Sequence, residues 1–424
     1  WVYLDKSKEE INILGFDYYI GIRNKLIKKG IVESKVVGSK YGKEIRLYKL
    51  RDDFYEDSKR RKVWIRNSKL IGILDKRIKE KVERDELIGY EIECCRELVI
   101  DSDLDLDGLI SRRLKRKLNE IREELDWDFV GKIKRRKFER FLSDENIVKY
   151  KEECRKRFEL FELELSELKS NGSVIDVFDR DGFGNRLYNI VNNKDKEFRE
   201  VLLLDGESLV EVDMINGYVS LLLRIFKGIE NKSNRYYGKF DERIRELVDD
   251  VNGNDFIERY EDICFSEDNR SDFYRYVWLK LGLGLSCSKS NRRYIKNLIL
   301  NMINGKKDFF KNRRFGNKDY SYEEFGKRIF GNGIECLNKL KELDIEWNDE
   351  KSYYGFEKYK NMSKILSKME VIIMNERMSE LKRNNIKYIS LFDGVLVKRS
   401  EKEKVLSIMN RKFESDVDMI IKFK

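Results

Sequence analysis

The chain has 424 residues and a mass of 51.0 kDa, too long for one ordinary hydrophobic core, so two or three domains are expected. Lys and Arg outnumber Asp and Glu, 89 to 79, giving a net charge of +10 in a chain that is 40% charged; that balance favours a polyanionic partner. There is no His, and the six cysteines include no C-x-x-C pair, which argues against His-based acid–base catalysis and the common zinc sites and points to free thiols.

No apolar run approaches ~18 residues, and no basic-then-apolar leader precedes a small-residue cleavage site. Neither a membrane span nor secretion is expected, and a cytoplasmic location is. Residue 1 is Trp, read as a processed or trimmed start. Ala, Thr, Gln, Pro and His are all absent. These five are the residues whose codons all carry C at the first or second position, which motivates the hypothesis of a cytosine-depleted coding strand; a gene read with ordinary C usage disproves it. The gap bears on function only where a motif normally carries a missing letter.

In chain order, DYYIGIRNKLIKKG reads as a helix closing at Gly30, a natural C-terminal cap, and IVESKVVGSKYGKEIRLYKL as two strands around a glycine-bearing loop. With Lys35, Lys40, Lys43 and Arg46 on the hairpin, residues 1–55 resemble the last helix and wing of a winged-helix domain, although other small α+β modules share that pattern. Residues 56–170 read as mostly helical and rich in both charges. Their basic stretch, Arg112, Arg113, Lys115, Arg116, Lys132, Lys134, Arg135, Arg136 and Lys137, is weighed as a track for a phosphate backbone against a solvated helix face. DSDLDLDGLI has the D-x-D-x-D-G order of a calcium loop, but Leu114 stands where a bidentate Glu is needed, so an acidic helix start is preferred.

From 171 to 424 strands and helices alternate, as in an α/β or α+β catalytic domain. In SLVEVDMINGYVSLLLRIF the side chains of Leu209, Glu211 and Asp213 share one strand face, and a helix begins just beyond. Asp213 is therefore either an accessible acid at a strand end or, with Asn216, a helix cap. The second acid lies 180 residues later in IKYISLFDGVLVK, where Asp393 and Gly394 mark a hairpin turn. Asp393 follows Ile389 and Leu391 on one strand face, so a hairpin packed against the Asp213 strand brings the two carboxylates together. Like charges so placed repel unless cations lie between them, and with magnesium the pair becomes a two-metal site for nucleotidyl transfer. Between the acids, SNRRYIKNLILNMINGKK reads as an amphipathic helix closing at Gly305, with Ile295, Leu298, Ile299 and Met302 buried and Arg292 and Lys296 together on another face. That face is either solvated or holds a triphosphate.

These elements, in this order, resemble the palm and fingers of family A DNA polymerases and the related single-subunit phage RNA polymerases. VEVDMINGYVSLLL is similar to the first palm motif, RRYIKNLILNMING to the fingers pattern R-x-x-x-K with a later glycine, and SLFDGVLVK to the last palm motif. GFGNRLYN and EFREVLLLDGESLVEVD resemble upstream elements carrying Arg186 and Arg199. The match spans about 182–424 and rests on four elements in order, each weak alone. The resemblance implies an α+β right-hand fold, with a palm and fingers over 171–424 and a helical thumb within 56–170. It implies a template-directed DNA polymerase of a phage, plasmid or other mobile element, acting on DNA primer–template and dNTPs without a membrane. Asp213 and Asp393 would hold two Mg2+ ions, Mn2+ being an alternative, and the Met214 carbonyl would be a further ligand. Arg292, Lys296 and Gly305 would belong to the nucleotide site, Lys296 also assisting pyrophosphate departure, and Arg186 and Arg199 would contact nucleic acid. Tyr218, five residues past Asp213, fills the position given to glutamate in the DNA enzymes and glycine in the RNA enzymes, which implies deoxynucleotide preference; the alternative is a ring packed in the helix core. Phe392 and Asn304 depart from the family's histidine and tyrosine, and Gly394 stands where another acid is common. No acid cluster for a proofreading exonuclease is found. An RNA polymerase or primase on the same scaffold, and a non-catalytic DNA-binding replication initiator, are the alternatives.

Overall fold

The computed structural model describes residues 32–40 and 43–50, 80 and 83, 85–125, 132–170, 178–181, 184–228, 260, 272–283, 286–306, 313–315, 318–320, 322–331, 333–343, 360–413 and 423–424. The chain divides into two compact units, Trp1–Asp85 and Glu86–Lys424. In the first, β1 (Val32–Lys40) pairs antiparallel with β2 (Lys43–Leu50), with a register shift between Val36 and Gly38. This is the hairpin expected from the sequence, bulged at Val37. The helix expected over DYYIGIRNKLIKKG, on which the winged-helix comparison also depends, lies outside the described residues.

The second unit is mixed α+β, predominantly helical around a small antiparallel sheet. Its first half holds α1 (Glu86–Arg96), β3 (Leu98–Ile100), α2 (Leu106–Leu125), α3 (Lys132–Phe141) and α4 (Asp144–Ser170). DSDLDLDGLI is a helix start: the Asp105 carboxylate accepts the Gly108 N–H at 2.9 Å and its carbonyl accepts the Leu109 N–H at 3.0 Å. Not all of the basic stretch on α2 faces solvent. Arg113 is buried, donates to Cys154 Sγ and pairs with Asp195, and Arg116 pairs with Glu197 at 2.9 Å. Both residues tie α2 to the start of α5 (Lys196–Arg199); for Arg113 the partner is required, because a guanidinium taken out of water needs a carboxylate.

A short pair of strands, β4 (Asp179–Arg180) and β5 (Leu187–Tyr188), precedes α5. Then β6 (Leu202–Leu204) and β7 (Glu207–Asp213) form a hairpin across Asp205 and Gly206. Both turn residues have positive φ, 53° and 77°, the conformation that a two-residue turn matching strand twist demands and that Asp-Gly tolerates. α6 (Gly217–Gly228), α7 (Phe273–Lys280) and α8 (Lys289–Asn304) follow. After them come β8 (Arg313–Phe315), β9 (Lys318–Tyr320), α9 (Tyr322–Phe330) and α10 (Gly333–Glu342). The unit closes with α11 (Asn361–Arg383), β10 (Ile389–Leu391), β11 (Gly394–Lys398) and α12 (Lys402–Met409).

The five-stranded sheet runs β10-β11-β7-β6-β3, with every neighbouring pair antiparallel. The last strand, β11, thus lies beside β7, which comes far earlier in the sequence. α11 is buried around most of its circumference and packs against α1, α6, α8, α10 and α12. Each Leu, Ile or Met that it buries stabilises the fold by roughly 1.5–3 kcal/mol. Among the described residues no helix is long and apolar enough to cross a membrane, and Cys94, Cys95, Cys154, Cys287 and Cys336 are free thiols; Cys264 lies outside the described residues.

Glu91 of α1 latches this core to β10. Fully buried, its Oε1 accepts from Asn189 Nδ2 at 2.5 Å and from the Ser390 N–H at 2.6 Å, while Oε2 has no partner. Burial pushes its pKa up to about 7, against hydrogen bonds from Ser390 and Asn189 that pull it down. The folded state therefore keeps the Glu91 proton up to about pH 7, whereas the unfolded chain, with the ordinary value of 4.5, has already lost it. Its contribution to stability is complete below 4.5 and declines as pH rises through about 7. Glu91→Gln should remove that decline: between pH 4.5 and 7.5 the variant gains roughly 3 kcal/mol relative to the parent, read as a shift in the urea midpoint. Parallel pH profiles would rule out a buried, protonated Glu91.

Candidate functional site

β7 stops at Asp213 because the chain turns through Met214, Ile215 and Asn216, the last at φ 52°. α6 then begins, with the Val219 and Ser220 N–H groups donating to the Asn216 carbonyl at 2.9 and 3.1 Å. Asn216 thus caps α6 through its backbone carbonyl, while Asp213 Oδ1 makes no cap bond and is buried without a hydrogen-bond partner.

Asp393 arrives on the hairpin that was expected to carry it. β11 pairs with β7 in the register Gly394↔Asp213 through Lys398↔Leu209, and the Met214 N–H donates to the Asp393 carbonyl at 2.9 Å. The two acids are neighbours across the strand pair. The turn itself falls at Phe392–Asp393, since Leu391 pairs with Gly394. Asp393 is therefore a turn residue rather than a continuation of the Ile389 and Leu391 strand face. Gly394 has a steric reason to be glycine: a Cβ there would stand 2.5 Å from both Asp213 Oδ1 and the Val212 carbonyl. Gly217 borders the other acid, its hypothetical Cβ 3.7 Å from Asp393 Oδ2.

Burial is the largest influence on Asp213 and, with Asp393 and Glu211 adding repulsion, pushes its pKa up to about 7; Arg199 and Lys296 oppose the rise. Arg199 ends α5 and lies 3.7 Å from Glu211. Lys296 belongs to α8, the helix expected between the acids. That helix starts at Ser288, whose Oγ accepts the Asn291 N–H at 3.1 Å, and its buried residues Ile295, Leu298, Ile299 and Met302 form the stripe read from the sequence. Gly305 caps its C-terminus at close range, with its N–H 2.8 Å from the Asn301 carbonyl and a Cβ excluded at 2.5 Å from the same oxygen. The buried Lys341 of α10 donates to the Met302 and Gly305 carbonyls, satisfying acceptors that a helix end leaves open. Burial pushes Lys341 down to about 8. On the exposed side, Arg292 and Lys296 flank the ring of Tyr274, 5.3 and 6.0 Å from its centroid. Arg292 also pairs with Asp272, which caps α7.

The pattern did not single out Glu370, on α11. Its side chain is 3% exposed and faces Arg186, with Oε2 accepting from Nη2 at 2.9 Å. Nε lies 2.7 Å from Oε1 as an ion-pair contact without hydrogen-bond alignment. The same Nη2 donates to the Tyr218 hydroxyl at 3.0 Å, and the guanidinium covers the Phe392 ring at 5.3 Å. Arg186 thus joins α6, α11 and the Asp393 turn. Burial pushes Glu370 up to about 7; Arg186 opposes that shift, and Asp393 adds to it. One signal could have marked Glu370: it interrupts the apolar residues of α11, four residues after Leu366 and three before Ile373.

Two adjacent carboxylates, one with a buried oxygen lacking a partner, fit a divalent cation. Among the described residues no cluster of three or more carboxylate or thiol ligands forms. Magnesium requires none, because it is held by one or two carboxylates and completes its shell with water and substrate phosphates. Compared with known proteins, the chain matches no family model and no curated protein significantly.

Gly394→Ala should force Asp213 off the strand or part β7 from β11, lowering stability by about 1–3 kcal/mol, read as a lower urea midpoint. A midpoint equal to the parent's would mean that the two strands are not packed this closely.

Proposed function

We propose that the chain is a metal-dependent, template-directed DNA polymerase of right-hand architecture, replicating a phage, plasmid or other mobile element in the cytoplasm of its host. The observation that carries this reading is the β7–β11 register, which sets Asp213 beside Asp393 with Lys296 of α8 in the field of Asp213. An acid pair facing a helix that bears Arg and Lys one turn apart meets the needs of nucleotidyl transfer. The acids serve the reacting oxygens and the cations serve the triphosphate.

Asp213 and Asp393 would hold two magnesium ions, or manganese in their place, which when bound supply charge stabilisation to the attacking and leaving oxygens. Arg292 exchanges Asp272 for the terminal phosphates, where its planar fork suits a phosphate better than an ammonium does. Lys296 places a point charge by the departing pyrophosphate, close enough to the acids to act on the same reaction centre. Gly305 ends the helix that carries both. Tyr218, in the first turn of α6 next to Gly217, which borders Asp393, faces the sugar and obstructs a 2′-hydroxyl. Arg199, beside Glu211, contacts the primer–template. Arg186 supports Tyr218 and the Asp393 turn from behind.

Primer extension on DNA and RNA templates, with each nucleotide set and with magnesium or chelator, tests the assignment. Asp213→Asn and Asp393→Asn should each abolish extension while DNA affinity stays near the parent value. Chelator should do the same to the parent protein, and added magnesium or manganese should restore it. Lys296→Ala should lower the rate roughly 10²-fold. Retained extension in either aspartate variant rejects the assignment, and incorporation of ribonucleotides without a primer moves it to a primase or RNA polymerase.

A further inference from the structure

Arg186 is held more firmly than a surface nucleic-acid contact requires. Its side chain is 17% exposed and faces a carboxylate that is 3% exposed. Releasing it would leave Glu370 buried and unpaired, a state costing several kcal/mol. The guanidinium therefore stays where Glu370 puts it, and there one of its nitrogens donates to the Tyr218 hydroxyl at 3.0 Å. The tyrosine hydroxyl lies on the long axis of its ring, so holding it in place while α6 fixes the Cα fixes χ1 and the direction in which the ring points. Phe392 closes the arrangement from below, its ring against Tyr188 at 4.9 Å and under the guanidinium at 5.3 Å. Because Phe392 immediately precedes Asp393, the brace sets the Tyr218 ring relative to one of the two acids.

We propose that Glu370 is a positioning residue for sugar selection: by clamping Arg186 it locks the Tyr218 ring against the space that a 2′-hydroxyl would occupy beside the Asp213–Asp393 pair. This rests on the polymerase reading of the same site. Glu370 touches neither substrate nor metal; it acts through Arg186. Losing the clamp frees the ring to swing aside, so discrimination between the two sugars falls, chiefly through tighter use of the ribonucleotide.

The test compares kcat/KM for a dNTP and for the matching NTP in the full-length protein and in Glu370→Gln, Arg186→Lys and Tyr218→Phe. Glu370→Gln keeps the shape and loses the charge. Arg186→Lys keeps a charge opposite Glu370 and loses the fork that reaches two partners at once. Tyr218→Phe keeps the ring and loses its tether. Each is expected to lower the dNTP-to-NTP ratio about tenfold, with the change carried by a lower KM for the NTP. The double variant Glu370→Gln/Tyr218→Phe should lose no more than either single one, since all act through one chain of contacts. A general folding defect would depress both nucleotides together and leave the ratio intact, and that result overturns the proposal while the polymerase reading stands. If the parent protein neither incorporates nor binds either nucleotide, as read by extension and by fluorescence titration, both readings fall.

Discussion

The antiparallel pairing of β7 with β11 is the contact on which the rest of the site depends. It is a backbone ladder of five residue pairs, and its last rung is Gly394 against Asp213. A slip of one residue would turn Asp213 to the opposite face of the sheet and put a side chain where only glycine fits. Register and the absence of a Cβ at Gly394 are therefore a single constraint. Once they are met, a buried carboxylate lies beside a second acid with no donor on one oxygen, an arrangement that is unfavourable unless positive charge is brought to it.

Much of the surrounding structure answers that charge. Arg199 comes from the short helix before β6 and Lys296 from α8, and both favour the ionised form of Asp213. On the other side of Asp393, Arg186 and Glu370 neutralise each other across 184 residues of sequence, which allows a guanidinium to sit under the turn without drawing either aspartate into an ion pair. Farther back, Glu91 reaches Ser390 across 299 residues and holds β10, while Lys341 closes the end of α8. Each of these buried polar groups makes contacts between elements that apolar packing alone would leave free to slide, because the cost of leaving such a group unpaired is specific to one arrangement.

The local features of the site were legible. The strand–turn–helix around Asp213, the amphipathic α8 with its stripe and its Gly305 cap, and the Asp393 hairpin all follow from residue periodicity and turn chemistry. The hairpin's turn was read one residue late, because Asp-Gly is the commoner turn pair while here Gly394 is claimed by its strand partner. The helical stretch before residue 171 concealed β3, whose three residues are too few to show a period and which forms by pairing with β6. Arg113 and Arg116 read as part of a basic stretch weighed between phosphate contact and a solvated face, yet each is paired internally, Arg113 in a buried ion pair with Asp195 just before α5 and the part-exposed Arg116 with Glu197 of α5.

By itself, the sequence determined most of the helices and strands that build the site, the buried stripe of α8, and that one acid ends a strand while the other lies at a hairpin. Those properties are set by neighbours within a few residues. The tertiary structure alone decided that the acids are adjacent, that one of them is raised in pKa, that Arg186 faces inward, and that Glu370 belongs to the site. Each of these depends on desolvation and on partners more than a hundred residues away, which neighbours along the chain do not specify.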